Sequence, residues 1–134
     1  MAQPFPNHAN LRGGFAPLQM ECDVNDLVIE GEIPRELNGS FYRNGPNPQY
    51  APRGHYHWFG GDGMVHAFHI EDGRVAYRNR WIRTIKWQKE REAGRSLFSA
   101  FNPMDNDESV AGLETDGVAN TNIIWHGGKL LALE

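Results

Sequence analysis

One cysteine, Cys22, is all the 134-residue chain has, so no internal disulfide can hold it together. That suits a reducing compartment. No apolar run approaches the roughly 20 residues that a membrane-spanning helix needs. The opening stretch, MAQPFPNHANLRGG, has neither the basic flank nor the apolar core of a secretory signal. Positive charge is scarce too: 13 Lys and Arg stand against 17 Asp and Glu, a net charge of −4. A nucleic-acid surface needs clustered cations, so no nucleic-acid partner is expected. The longest basic grouping, Arg78 to Arg95, is interleaved with Glu90, Glu92 and aromatics and reads as a solvated face. No GxSxG nucleophile motif occurs, and Cys22 has only His8 near it in sequence, which points to an inert thiol. The expectation is a soluble cytoplasmic protein.

Turn-forming residues and aromatics are abundant: 15 Gly, 8 Pro, 4 Trp, 4 Tyr and 7 Phe. Gly and Pro in such numbers favour short strands and loops over helices. Residues 1–25 carry no period and read as an extended arm lying over something else. LVIEGEIP (27–34) reads as a short strand stopped by Pro34, and GSFYR as another, with a turn forced at Asn44-Gly45. Met64–Ile70 and Arg74–Thr84 flank Glu71-Asp72-Gly73, a hairpin signal. In the second run Val75, Tyr77, Asn79 and Trp81 share one face. Lys86–Phe98 is the one convincing helix, ended or bent at Gly94. Phe101–Gly117 is acidic and loop-like, and NIIWHGGKLLALE forms a second hairpin around Gly127-Gly128. An isolated hairpin is marginal, and an apolar final run leaves an uncovered edge. Together these features predict the front piece of a larger sheet protein.

Four of the six histidines crowd into GHYHWFGGDGMVHAFHI. Histidine is the commonest metal ligand. On an extended strand His55 and His57 point the same way, whereas His66 and His69 point opposite ways, so three could converge at best. Asp62 alone in GGDG lacks the alternating oxygen ligands of a calcium loop. Beside Tyr56, Trp58 and Phe68, these histidines read as hydrogen-bonded structural residues, with a three-histidine metal site left as a rival.

GEIPRELNGSFYRNGPNP, HWFGGDGMVHAF and ANTNIIWHGGKLLALE, taken in order, resemble successive motifs of the carotenoid cleavage oxygenases. The middle stretch, RTIKWQKEREAGRSLFSAFNP, is similar to the bacterial lignostilbene-dioxygenase-like branch. The resemblance implies an all-β fold, the N-terminal part of a seven-bladed β-propeller capped by loops and short helices, with 26–134 as its first part. It also implies a non-haem Fe(II) held by four histidines, which uses O2 to split a conjugated C=C bond of a carotenoid, apocarotenoid or stilbene-type substrate into two carbonyl products. None of His8, His55, His57, His66, His69 or His126 matches an iron-ligand position of the family. The expected ligands lie beyond Glu134, so this chain is expected to hold no metal and to be inactive alone. A long apolar substrate further implies peripheral contact with a membrane.

Two positions bear on substrate. Where the lignostilbene branch carries a Tyr and a Lys against the substrate's phenol, this chain has Trp81 (in WIRT) and Glu134 (in ALE). An indole offers only an N–H donor, and a carboxylate reverses the lysine's charge, which moves the reading toward apocarotenoids. Trp81 also fits an ordinary inward-facing strand residue. A one-residue shift would make Glu134 one of the glutamates that orient the iron histidines. The rival class is a non-catalytic β-rich binding domain that takes an aromatic ligand or partner on Trp58, Trp81, Trp87 and Trp125.

Overall fold

The computed structural model describes residues 3–115 and 117–134. Met1 and Ala2 of the expected arm, and Asp116 of the acidic loop, lie outside the described residues. Among the described residues, six strands form two antiparallel sheets. The first holds β1 (Asp23–Val24), β2 (Gly39–Pro46), β3 (Gly63–Glu71) and β4 (Arg74–Trp81) in the order β1-β4-β3-β2. The second is a hairpin of β5 (Asn122–His126) and β6 (Lys129–Leu133).

The β3–β4 hairpin forms where the sequence places it. Asp72 and Gly73 both have positive φ, 47° and 76°, as a two-residue turn matched to strand twist requires. This turn fixes the register Met64↔Trp81 through Glu71↔Arg74. Met64 and Trp81 then share a face, and with Trp87 they make one small core in which Met64 has no exposed surface. Gly127 and Gly128 close the second hairpin in the same way, with φ of 57° and 76°.

The helix α1 (Ile85–Ala93) is shorter than the sequence suggests. The Thr84 hydroxyl caps its start by accepting the Trp87 N–H at 3.1 Å. Gly94, with φ of 68°, ends it in the left-handed conformation. Residues 95–98, expected to be helical, turn away instead, because the Glu90 carboxylate collects the Leu97 and Phe98 amides.

Two strand expectations fail. LVIEGEIP forms no strand: Leu27 donates one N–H to the Val75 carbonyl, while Val28 is almost wholly exposed. A β-branched run without a partner to bury it gains nothing from extension. Asn44-Gly45 makes no turn either, and β2 runs through to Pro46 against β3. The ladder with β3 outweighs the local turn preference of that pair.

The arm crosses the open edge of β4, held by two buried asparagines. The Asn47 amide accepts the Leu18 N–H at 2.7 Å and donates to the Leu18 carbonyl at 2.9 Å. Asn79 does the same for Cys22 and Met20. Arginines on β4 and just beyond it keep an exposed face, and they also pair there with acids at positions 21–26. Arg74 pairs with Asp26, Arg78 and Arg80 with Asp23, and Arg83 with Glu21.

Candidate functional site

Two concavities border the positions singled out in the sequence. An open apolar groove of about 620 Å³ separates the main sheet from the β5–β6 hairpin, lined by Tyr42, Val65, Trp81, Ile123 and Leu131 among others. A second cavity of about 600 Å³ opens between loops, bordered by Phe59, Lys86, Phe98, Phe101, Asn120 and Glu134. Trp81 and Glu134 therefore face different spaces, and the structure does not bring them together.

Trp81 ends β4 and is buried. Its indole N–H donates to the Asn47 carbonyl at 2.7 Å, and its ring lies 6.4 Å from that of Trp87. With the only polar atom engaged, the ring's apolar surface is what Trp81 presents to the groove. Glu134 is exposed; its carboxylate accepts N–H groups from Val118 at 2.7 Å and Ala119 at 3.1 Å. Ala119 has φ of 52°, a conformation that non-glycine residues seldom adopt. The Asn44 amide, donating to the Ala119 carbonyl at 2.8 Å, helps to hold it there.

The aromatic cavity has two loop walls. Phe59 and Gly60 lie in a short 3-10 turn, and the His57 ring accepts the Phe59 N–H at its start. Asn120 donates to the carbonyls of Phe59 and Gly61, both at 2.7 Å. Phe98–Phe101 forms the facing wall. Gly60 and Ala100 touch so closely that a side chain at 60 would overlap the Ala100 methyl.

A buried charge triad beneath these walls escaped the sequence reading. Lys86 Nζ donates to Asp62 at 2.6 Å and to Glu90 at 3.0 Å, both carboxylates being about 1% exposed. Burial works against the charge on Lys86, but the two carboxylates outweigh it and hold its pKa above the usual lysine range. The signal was present in the Lys86–Glu90 spacing of four on a helix. The partner Asp62, 24 residues away, was not legible.

The histidines disperse. His66 bonds the Tyr77 hydroxyl at 2.7 Å, and His69 bonds the Ser40 hydroxyl at 3.0 Å from the opposite face of β3. Burial, helped by Arg43, pushes the His66 pKa below the usual histidine range. His57 caps a turn, and His8 accepts the Asn10 N–H. Among the described residues, no three of His, Cys, Asp and Glu gather so as to hold a metal ion. The three-histidine arrangement is not formed, and these residues do not fit an iron centre. The four tryptophans share no surface: Trp81 and Trp87 are core, while Trp58 and Trp125 are exposed.

A profile of the retinal pigment epithelial membrane protein family matches residues 15–134. The chain belongs to this family, that of the carotenoid cleavage oxygenases. Relatives of this family member include an isoeugenol monooxygenase of Pseudomonas nitroreducens, 46% identical over 100% of the chain and 28% of the relative. A lignostilbene-alpha,beta-dioxygenase isozyme III of Sphingomonas paucimobilis is 46% identical over 97% of the chain and 27% of the relative. The crystal structure of a Pseudomonas brassicacearum lignostilbene dioxygenase superposes with a TM-score of 0.90 at 40% identity, covering 99% of this chain and 28% of that one. The chain thus spans little more than a quarter of the length of these relatives. Its fold is the N-terminal part of a carotenoid-oxygenase β-propeller, and its similarity to bacterial lignostilbene-type relatives matches what the middle stretch implied.

Proposed function

We propose that this oxygenase-family chain is the N-terminal part of a non-haem Fe(II) dioxygenase that cleaves a conjugated C=C bond. One alkene and one O2 give two carbonyl products, so atoms balance without a further reductant. The observation that carries the reading is the close superposition of nearly the whole chain on a lignostilbene dioxygenase. The described residues offer no iron site, so we place the metal on histidines outside these 134 residues and take the chain alone to be inactive. Residues 1–25 serve as an arm and 26–134 as the first part of the propeller, a division that the asparagine clamps on the arm support.

The contribution of these residues is binding and shape. Phe59, Phe98 and Phe101 offer flat apolar surfaces to a conjugated or aromatic substrate. Glu134 beside them accepts hydrogen bonds, which suits a ligand presenting a hydroxyl donor, and Trp81 presents only its ring. A phenolic stilbene meets both conditions, and the relatives named above favour it, which reverses the lean toward apocarotenoids taken from Trp81 and Glu134 in the sequence; an apocarotenoid satisfies the aromatic walls alone. No helix among the described residues is long and apolar enough to cross a membrane. The proposal further takes the protein to be cytoplasmic and to touch membranes peripherally when it collects an apolar substrate.

The test is incubation of the iron-loaded full-length protein with (E)-4-hydroxystilbene and, separately, with an apocarotenal. Two aldehydes from one of these substrates are the expected outcome. Binding without any carbonyl product from either would favour the rival, a non-catalytic β-rich binding domain.

A further inference from the structure

We infer that Lys86, clamped between Asp62 and Glu90, is a positioning residue that sets the separation of the two aromatic walls of the cavity. The inference deepens the proposed function and, in its catalytic readout, rests on it.

Each wall adjoins one carboxylate: Glu90 is bonded to the start of the second wall, and Asp62 follows the first in sequence. Glu90 Oε1 accepts three hydrogen bonds, from the Leu97 N–H at 2.9 Å, the Phe98 N–H at 3.1 Å and the Ser96 hydroxyl at 3.2 Å. These bonds wrap the chain after α1 around Glu90 and deliver Phe98 through Phe101 to the cavity. Asp62 follows the Phe59–Gly61 wall directly, and its carboxylate accepts the Gln49 N–H at 3.0 Å. Neither wall has a strand ladder or helix of its own beyond a single 3-10 turn; Asn120 holds Phe59 and Gly61, and Ser99 is tied to Asn106 and bridges Arg53. Lys86 donates to both carboxylates and lines the cavity itself. A buried ion cluster is seldom the cheapest way to gain stability, because desolvation offsets attraction. What it does supply is a fixed geometry. Gly60 packed on Ala100 shows that the walls already touch at one point, so a change in the Asp62–Lys86–Glu90 span must open or tilt them. The slot so defined takes a flat ring edge-on.

The experiment replaces Lys86 in the full-length protein, which leaves every wall side chain unaltered. In Lys86→Met, amide hydrogen exchange should rise about tenfold or more at Gln49, Leu97 and Phe98 together, with β3 and β4 unchanged. Lys86→Arg, which keeps the charge, should restore protection at all three. Exchange that rises at one end only, or evenly across the sheet, overturns the inference. Should Lys86→Met fail to fold, Glu90→Gln keeps an oxygen for the Leu97 and Phe98 amides but loses the ion pair. Its KM for (E)-4-hydroxystilbene should rise about tenfold with kcat held within about twofold. A loss of kcat at unchanged KM overturns the positioning role. If the wild type cleaves neither (E)-4-hydroxystilbene nor an apocarotenal, the oxygenase reading is what fails, and the exchange pattern still decides the role of Lys86.

Discussion

Asn79, inside β4, binds the arm at Cys22 as a neighbouring strand would. Its side-chain oxygen accepts the Cys22 N–H at 2.7 Å, and its own N–H donates to the Cys22 carbonyl at 3.2 Å. The side-chain amide also donates to the Met20 carbonyl at 2.9 Å, so one residue satisfies three backbone groups of a segment only briefly in a strand. Asn79→Ala keeps the backbone N–H to the Cys22 carbonyl but takes the side-chain partner from the Cys22 N–H and the Met20 carbonyl, and should cost about 2–3 kcal/mol. Denaturant melting reads the cost, and limited proteolysis should cut near residues 18–22 far faster than in the wild type. An arm that stays protected in this variant would show that the clamp does not hold it.

The core at Met64 makes a second prediction. Met64 is fully enclosed beside Trp81 and Trp87, so Met64→Ala should destabilise by about 2–5 kcal/mol. Val28→Ala is the control: Val28 is 98% exposed, and its change should stay within about 0.5 kcal/mol. Similar losses at both sites would contradict the burial pattern.

Those two positions also show what was legible in the sequence. The alternation of β4 placed Val75, Tyr77, Asn79 and Trp81 on one face, and the two Gly-containing turns located both hairpins, because each depends on local backbone chemistry. Val28 lies in a run with the same β-rich composition, yet it forms no strand, since partnership is a tertiary property. Asn44-Gly45 failed for the converse reason: an adjacent ladder overrode a local turn preference. At the candidate site, Trp81 and Glu134 came from a resemblance, and only the structure places them on separate cavities. The Asp62–Lys86–Glu90 triad joins segments 24 residues apart, a distance over which single-chain patterns carry no information.

Acidification should destabilise the sheet through His66. Burial and Arg43 depress its folded pKa below the ordinary value near 6.5. Between the two values the unfolded chain binds more protons, so stability rises with pH across that window and is lost as pH falls through it. His66→Gln should flatten this part of the profile. Denaturant midpoints of both proteins from about pH 5 to 7.5 provide the check. An unchanged difference between the two across that range would remove His66 from the account.

Gly60→Ala tests the close approach of the two loops. A methyl group there overlaps Ala100, so one wall must move, at a cost of about 1–3 kcal/mol. The amides of the 59–61 and 98–101 segments should shift in an NMR spectrum while those of β5 and β6 do not. Shifts confined to residue 60 and its immediate neighbours in sequence would place the loops further apart than described.

One proposal governs the others: these 134 residues are the opening part of a larger oxygenase propeller. Its most direct test is the intact mass of the natural product, captured from its source with an antibody raised to residues 1–25. A species several times heavier than 15.2 kDa is expected. A species of 15.2 kDa would contradict it, and the oxygenase likeness would then describe ancestry rather than activity.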